Sequence, residues 1–194
     1  MALEDIILLD QNITLAINSL NSPLTDRIWL FFSNTQVWFP MYAIIAGCCF
    51  WRLGWKRGIA ATVALALMVL CCDQTANLFK DGVQRFRPCH TEYMIENGLH
   101  MLSSGSLYGF FSGHAANSFG FAWSSLLLFR MDKRLKYRGY AAWIFSWAIL
   151  VSFSRVFVGM HFFGDILAGA VAGSIIGSAI ALLARYVCKR WIAA

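Results

Sequence analysis

Residues 58–79 read GIAATVALALMVLCCDQTANLF, an apolar stretch in which Asp73 is the single charged residue. A helix needs about 20 mostly apolar residues to cross the hydrocarbon core of a bilayer, so this stretch predicts a transmembrane helix. The whole chain has the same character, with 59% hydrophobic and 13% charged residues in 194. Soluble domains carry about 25% charged residues. The composition therefore indicates an integral membrane protein.

Four further segments are apolar enough and long enough to cross a membrane. The five predicted spans are Val37–Leu53, Gly58–Phe79, Gly113–Phe129, Tyr140–Phe157 and Phe162–Val187. Because each is predicted to be helical, we expect an all-α bundle of about five transmembrane helices. We expect a single domain over residues 1–194, with its transmembrane bundle at 37–187.

The N-terminal stretch Leu3–Leu20 has a different pattern. Five polar residues interrupt it, namely Glu4, Asp5, Asp10, Asn12 and Asn18. Its apolar residues recur at helical spacing on one face, at Ile6, Leu9, Ile13, Ile17 and Leu20. That pattern is typical of an amphipathic helix lying in the membrane interface. Residues 1–36 are therefore predicted to be interfacial, and a sixth span built from them is the alternative.

The positions of lysine and arginine predict the orientation. One set of junctions holds 11 of the 16 basic residues, at Arg52, Lys56, Arg57, Arg130, Lys133, Arg134, Lys136, Arg138, Arg185, Lys189 and Arg190. Basic residues concentrate on the cytoplasmic side of membrane proteins. The chain is thus expected to begin outside, cross five times and end inside. This distribution also accounts for the net charge of +6 without a nucleic-acid partner.

Three polar segments fall on the opposite, outer side. They are KDGVQRFRP (residues 80–88), FSGH (111–114) and SRVFVGMHFFGD (154–165). Lys80, Arg87 and Arg155 come from separate segments but share one membrane depth. Converging cations suit an anionic group, and arginine matches phosphate oxygens in a bidentate manner.

The same segments contain groups suited to catalysis. Ser112 and Gly113 stand at a predicted helix start, where free N–H groups favour an anion. His161 and Asp165 are four residues apart, so on a helix they share a face and can form a hydrogen bond. A carboxylate on one imidazole nitrogen leaves the other free as a base or nucleophile. His114 supplies a second imidazole, and the set fits phosphoryl transfer through a phosphohistidine.

The patterns Lys-x6-Arg-Pro, Ser-Gly-His and Ser-Arg-x5-His-x3-Asp, in this order over Lys80–Asp165, resemble the three signatures of the type 2 phosphatidic acid phosphatase superfamily. One departure is Phe111, which stands where the family often has proline. It removes no catalytic group.

The resemblance implies a role for each matching position. His161 would be the nucleophile, Asp165 its orienting carboxylate and His114 the general acid. The phosphoryl oxygens would be bound by Lys80, Arg87, Ser112, Gly113 and Arg155. No cofactor is expected, and no metal, because the sequence lacks an Asp/Glu/His cluster with metal-ligand spacing.

The resemblance further implies a membrane lipid substrate, either a phosphomonoester or a diphosphate. The expected place is the periplasmic face of a bacterial inner membrane. We rank undecaprenyl diphosphate first, with lipid A phosphate next and phosphatidylglycerol phosphate or phosphatidic acid as further alternatives. The oligomeric state is left open.

Two other functions fit the sequence less well. A transporter would need polar groups on several helices near the midplane, whereas only Asp73 lies deep within a span. A soluble vanadium haloperoxidase disagrees with the five apolar spans.

Some residues lie outside the three signatures. Asp73 is interpreted as a partner for a nearby cation or hydroxyl, because carboxylates within membranes are costly. Arg85 is interpreted as a headgroup contact or solvated charge, and His90 and His100 as loop residues. Small residues at steps of four predict close helix packing at Gly169, Gly173 and Gly177.

Overall fold

The computed structural model describes residues 3–192. The described residues form eight α-helices: α1 Leu3–Asn18, α2 Pro23–Ser33, α3 Phe39–Leu53, α4 Trp55–Val83, α5 Glu92–Glu96, α6 Gly113–Phe129, α7 Arg138–Phe157 and α8 Phe163–Trp191. Short 3-10 turns lie at Thr35–Trp38 and Pro88–His90. Over these residues there is no β-strand, only one antiparallel bridge between Phe86 and Tyr108. The predicted all-α architecture is confirmed.

Three helices of the described chain, α4, α7 and α8, are long and apolar enough to cross a membrane. The other two predicted spans correspond to α3 and α6, with 15 and 17 residues. Helix α6 packs against α3, α4, α7 and α8 and is the centre of the bundle. Because α3 and α6 are short, the number of five crossings remains a prediction. Helices α1 and α2, with 16 and 11 residues, are also short, which weakens the alternative of a sixth span.

Glycine allows α6 and α8 to approach closely. A Cβ added at Gly173 would overlap the backbone of Ala116, and one at Gly177 would overlap the backbone of Gly120. A Cβ at Gly169 would similarly meet the Ser112 carbonyl. The close packing predicted from the glycine spacing is confirmed, and it holds the first turns of α6 and α8 side by side.

Helix α1 directs its polar residues inward. Thr14 and Asn18 are buried, whereas Ile6 and Leu9 are exposed. The Asn18 amide donates to the carbonyls of Val156, Phe157 and His100, and its oxygen accepts from the His100 N–H. An apolar face turned outward fits a helix in contact with lipid. The inward polar face fixes α1 to the end of α7 and to the loop between α5 and α6.

Helix α2 begins with Ser22 as N-cap and Pro23 in its first turn, a common start signal. Its Trp29 stacks on Phe157 with 4.1 Å between ring centroids. Helices α1 and α2 therefore both pack against α7, next to the segments that carry the predicted site.

Candidate active site

A cavity of about 430 Å³ lies where α4, α6 and α7 end or begin and where the α7–α8 turn closes over them. It brings together six predicted site residues, namely Lys80, Arg87, Gly113, His114, Arg155 and His161. The other two, Ser112 and Asp165, do not line the cavity but are buried directly behind it. Three segments that lie far apart in the sequence, within residues 80–165, thus form one polar site at one end of the bundle.

His161 is almost fully buried at the wall of this cavity. Its Nε2 lies 2.9 Å from Nη1 of Arg87. A guanidinium can only donate, so Nε2 accepts and the neutral ring carries its proton on Nδ1. Burial, followed by the nearby charges of Arg87, Arg155 and Lys80, lowers the pKa of His161 well below its ordinary value. The imidazole is therefore neutral at pH 7.

Asp165 lies beside this ring, but not for the predicted reason. Helix α8 begins at Phe163, so His161 precedes it and the two residues do not share a helical face. Instead, the Asp165 carboxylate turns back over the first turn, and its Oδ2 accepts from the Phe162 N–H at 3.0 Å. This oxygen is 3.6 Å from Nδ1 of His161, and Nδ1 has no hydrogen-bond partner in the described chain. The separation is too long for a hydrogen bond, although the two groups face each other.

Arg87 and Arg155 are both buried. Arg87 donates to the Ser106 carbonyl at 2.6 Å, to the Ser106 hydroxyl at 3.2 Å and to the Met160 carbonyl at 3.1 Å. Arg155 donates to Ser33, while its Nε is a buried donor without a partner in the described residues. Neither arginine has a carboxylate partner there, so both charges are available to an anion.

Lys80 completes this group of cations. It lies within α4, which continues to Val83, and not in the loop after a span as the sequence predicts. Its ammonium donates to Asn77 at 3.3 Å, one turn earlier on the helix. Three cations from three elements therefore surround the His161 ring. Such an arrangement suits a phosphate dianion.

His114 occupies the first turn of α6, and its Nε2 lies 3.2 Å from the Thr35 hydroxyl. Both imidazoles face the same cavity. Ser112 is the N-cap of α6, where its hydroxyl accepts from Ala115 and its N–H donates to the Asp165 carbonyl at 3.1 Å. These contacts give Ser112 a positioning role, and the phosphate contact expected of it stays a prediction.

The sequence-based interpretation of Arg85 is also wrong. It is not a free surface charge, because Nη1 donates to Asp165 at 2.8 Å and Nη2 donates to Asp10 of α1 at 2.7 Å. Its guanidinium also stacks over Phe162, 4.1 Å from the ring centroid. Asp10 in turn accepts from the Gly164 N–H at 2.7 Å. The interfacial helix is thus joined through Arg85 to the carboxylate behind His161.

The remaining polar residues also have definite partners. His90 contacts the Gly105 carbonyl and His100 contacts Asp26, each at 3.0 Å, and neither lines the cavity. Their interpretation as loop residues agrees with this placement. Asp73 accepts from Asn117 at 2.7 Å, at the inner end of the cavity.

Residues 3–192 contain no group of three or more His, Cys, Asp or Glu placed to hold a metal ion. The polar groups described above gather at one end of the bundle.

Comparison with known proteins gives concordant results. A family model described as the PAP2 superfamily matches residues 57–190. A lipid A 4'-phosphatase of Bacteroides thetaiotaomicron is 34% identical over 172 residues, covering 87% of this chain and 74% of that protein. A lipid A 4'-phosphatase of Porphyromonas gingivalis is 30% identical over 194 residues, covering 99% of this chain and 80% of that protein.

Two solved structures have the same fold. A transmembrane PAP2-type phosphatidylglycerolphosphate phosphatase from Bacillus subtilis matches with a TM-score of 0.74 at 19% identity, covering 96% of this chain and 89% of that one. Aquifex aeolicus LpxE matches with a TM-score of 0.63 at 22% identity, covering 89% and 93%. The first of these proteins is a transmembrane protein, and the likeness shows that this chain shares its helical fold.

Proposed function

Because this chain belongs to the PAP2 superfamily, we propose that it removes a phosphate group from lipid A, with His161 as the nucleophile. Family membership confirms the resemblance inferred from the three sequence motifs. It also makes the chain an integral-membrane lipid phosphatase. The choice of lipid and the roles of individual residues are the proposal.

The observation that carries the proposal is the environment of His161. The ring is buried and neutral, its Nε2 lone pair points to Arg87, and Lys80 and Arg155 stand nearby. A neutral imidazole is a nucleophile, whereas an imidazolium is not. A phosphate bound to the cations would take over the Arg87 N–H that now contacts Nε2. The phosphorus would then lie next to that nitrogen.

The reaction has two steps. Nε2 of His161 attacks phosphorus, and the bond between phosphorus and the lipid oxygen breaks. His114, which is protonated beside the bound phosphate dianion, gives its proton to the leaving oxygen. Asp165 faces Nδ1–H and offsets the positive charge that the phosphorylated ring acquires. A water molecule then attacks phosphorus, His114 takes its proton, and the bond from nitrogen to phosphorus breaks to release inorganic phosphate.

A second cavity supports a lipid substrate. It has a volume of about 340 Å³, lies between α3, α4 and α6, and is here called the apolar groove. It is lined by Thr35, Phe39, Tyr42, Ala46, Thr62, Leu65, Ala66, Val69, Asn117 and Phe121. Four of these residues also line the 430 Å³ cavity that contains His161 and His114, here called the catalytic cavity. An acyl chain in the apolar groove would therefore place its phosphate among the cations.

The relatives favour lipid A over undecaprenyl diphosphate, which the sequence-based ranking placed first. Two relatives with at least 30% identity, each covered over more than two thirds of its length, are lipid A 4'-phosphatases. The sequence motifs gave no firm basis for that ranking, because all of these lipids would use the same phosphate site. The active site is proposed to face the periplasm, since most of the basic residues are placed at the opposite end of the spans.

A phosphate-release assay of the purified protein across four lipids tests the proposal. We expect release from lipid A to exceed release from undecaprenyl diphosphate, phosphatidylglycerol phosphate and phosphatidic acid, with or without excess EDTA. His161→Ala should be inactive and form no phosphoenzyme, whereas His90→Ala should remain active. Faster release from undecaprenyl diphosphate would reject the substrate, and a phosphoenzyme in His161→Ala would reject the nucleophile.

A further inference from the structure

A carboxylate and an amide lie at the junction of the catalytic cavity and the apolar groove. Asn117 lines both cavities, and Asp73 lines the catalytic one. Asn117 Nδ2 donates to Asp73 Oδ1 at 2.7 Å. The proposed chemistry uses neither residue, yet Asp73 lies within α4, one of the helices long and apolar enough to cross a membrane. A carboxylate at such a depth is costly and usually has a function.

Some acceptor atoms of this pair receive no hydrogen bond. Asn117 Oδ1 is buried and has no hydrogen-bond partner in the described chain. The Asp73 carboxylate can accept several hydrogen bonds, and Asn117 supplies one. Buried acceptors without a partner are rare in folded proteins. An unsatisfied acceptor at the junction of two cavities indicates a ligand that brings a donor.

The position along α4 tells which part of a lipid would lie there. Val69, Asp73, Asn77 and Lys80 follow one face at helical spacing. Asp73 is about 10 Å along the axis from Lys80, at 1.5 Å per residue. The phosphate would lie at the Lys80 end and the acyl chain beyond Val69. The Asp73–Asn117 pair would therefore meet the atoms that link the headgroup to the acyl chain.

We infer that Asp73 and Asn117 bind a hydroxyl or amide N–H of the substrate lipid, next to its phosphate. The negative charge of Asp73 repels a second phosphate, and the acceptor oxygens of both residues attract neutral hydrogen-bond donors. The pair thus selects phospholipids with amide-linked or hydroxylated chains over lipids with only ester or isoprenoid linkages. This inference rests on the proposed function and specifies which lipids the same site accepts.

Two phosphomonoester lipids test it with the purified full-length protein. Ceramide 1-phosphate has an amide N–H and a hydroxyl near its phosphate, whereas phosphatidic acid of matched chain length has only esters. We expect kcat/KM to be about tenfold higher for ceramide 1-phosphate, the effect of roughly one hydrogen bond. Asp73→Leu and Asn117→Leu should each bring this ratio close to one. Thr75→Val, on the same helix but outside both cavities, should keep it.

A ratio near one in the wild-type protein, or a tenfold ratio that survives both leucine variants, would overturn the inference while leaving a working lipid phosphatase. If one of the two leucine variants does not fold, the ratio measured in the other is enough to test the inference. Absence of phosphate release from all lipids would instead reject the proposed function. The pair is then judged by binding of the two lipids to His161→Ala protein. Tighter binding of ceramide 1-phosphate supports the pair, and equal binding rejects it.

Discussion

Replacing Arg85 by methionine tests whether α1 supports catalysis. Methionine keeps the unbranched side chain over Phe162 but removes both ion pairs, with Asp165 at 2.8 Å and with Asp10 at 2.7 Å. Removing one partner of a buried ion pair costs about 3–5 kcal/mol. The Asp165 side chain is 0% exposed and the Arg85 side chain 24% exposed. Water can reach the arginine side, so we expect a loss of about 2–3 kcal/mol.

The effect on catalysis should fall on kcat. Arg85 does not line the catalytic cavity, so KM should change little. Without Arg85, the buried Asp165 carboxylate would take up a proton and no longer offset the charge on phosphorylated His161. We expect kcat to fall roughly 10- to 100-fold, which corresponds to about 1.4–2.8 kcal/mol of transition-state stabilisation.

Thermal unfolding in detergent and steady-state phosphate release measure these two effects. Arg85→Lys should be intermediate, because an ammonium cannot bridge both carboxylates in a fork. Arg27→Met is the matched control, since no ion pair of Arg27 is present in the described residues. Wild-type kcat in Arg85→Met, or a change in KM alone, would refute the connection from α1 to His161.

Three further predictions concern the two histidines and the helix packing. Because the pKa of His161 is lowered in the folded protein, its ring should stay neutral as pH falls through 6.5. The same histidine takes up a proton in the unfolded chain, so the free energy of unfolding should decline over this range. An imidazole ¹⁵N signal of His161 that titrates near 6.5 would contradict this prediction. Gly173→Leu should prevent the close contact with Ala116 and abolish the folded monodisperse peak in size-exclusion chromatography, whereas Gly139→Ala, with open space around it, should fold normally. His114→Ala should slow release from a lipid phosphomonoester more than from nitrophenyl phosphate, whose leaving group needs less protonation; equal losses for the two substrates would show that His114 does not protonate the leaving group.

The catalytic cavity could be predicted because its residues stand in short segments at the ends of apolar stretches. Once the spans are placed, Lys80, His114 and His161 must come to one side of the membrane. The spacing of residues within a motif predicted their local geometry less well than it predicted their side of the membrane. The interval from His161 to Asp165 suggested one helical face, but α8 begins only at Phe163.

Contacts between residues far apart in the chain could not be predicted from the sequence. Arg85 binds Asp10, 75 residues earlier, and nothing in either local pattern pairs them. Asn18 similarly looked like an interruption of an amphipathic helix, whereas it is buried against Val156 and His100. The polar residue Asn18 of α1 finds its hydrogen-bond partners only once α7 and the loop between α5 and α6 are in place. The apolar pattern of α1 was visible in the sequence, but the partners of its polar face were not.

The attachment of α1 by Asn18 has a consequence for the order of synthesis. Helix α1 leaves the ribosome before α2–α8, and its partner Val156 is made 138 residues after Asn18. Until then, the polar face of α1 has none of its final partners on α7 and α8. A nascent chain therefore cannot complete the support of Asp165 before almost all its helices have been inserted. A chain that has not yet inserted α8 carries the three motif segments without an assembled site, and hydrolytic activity begins only after α8 is in place.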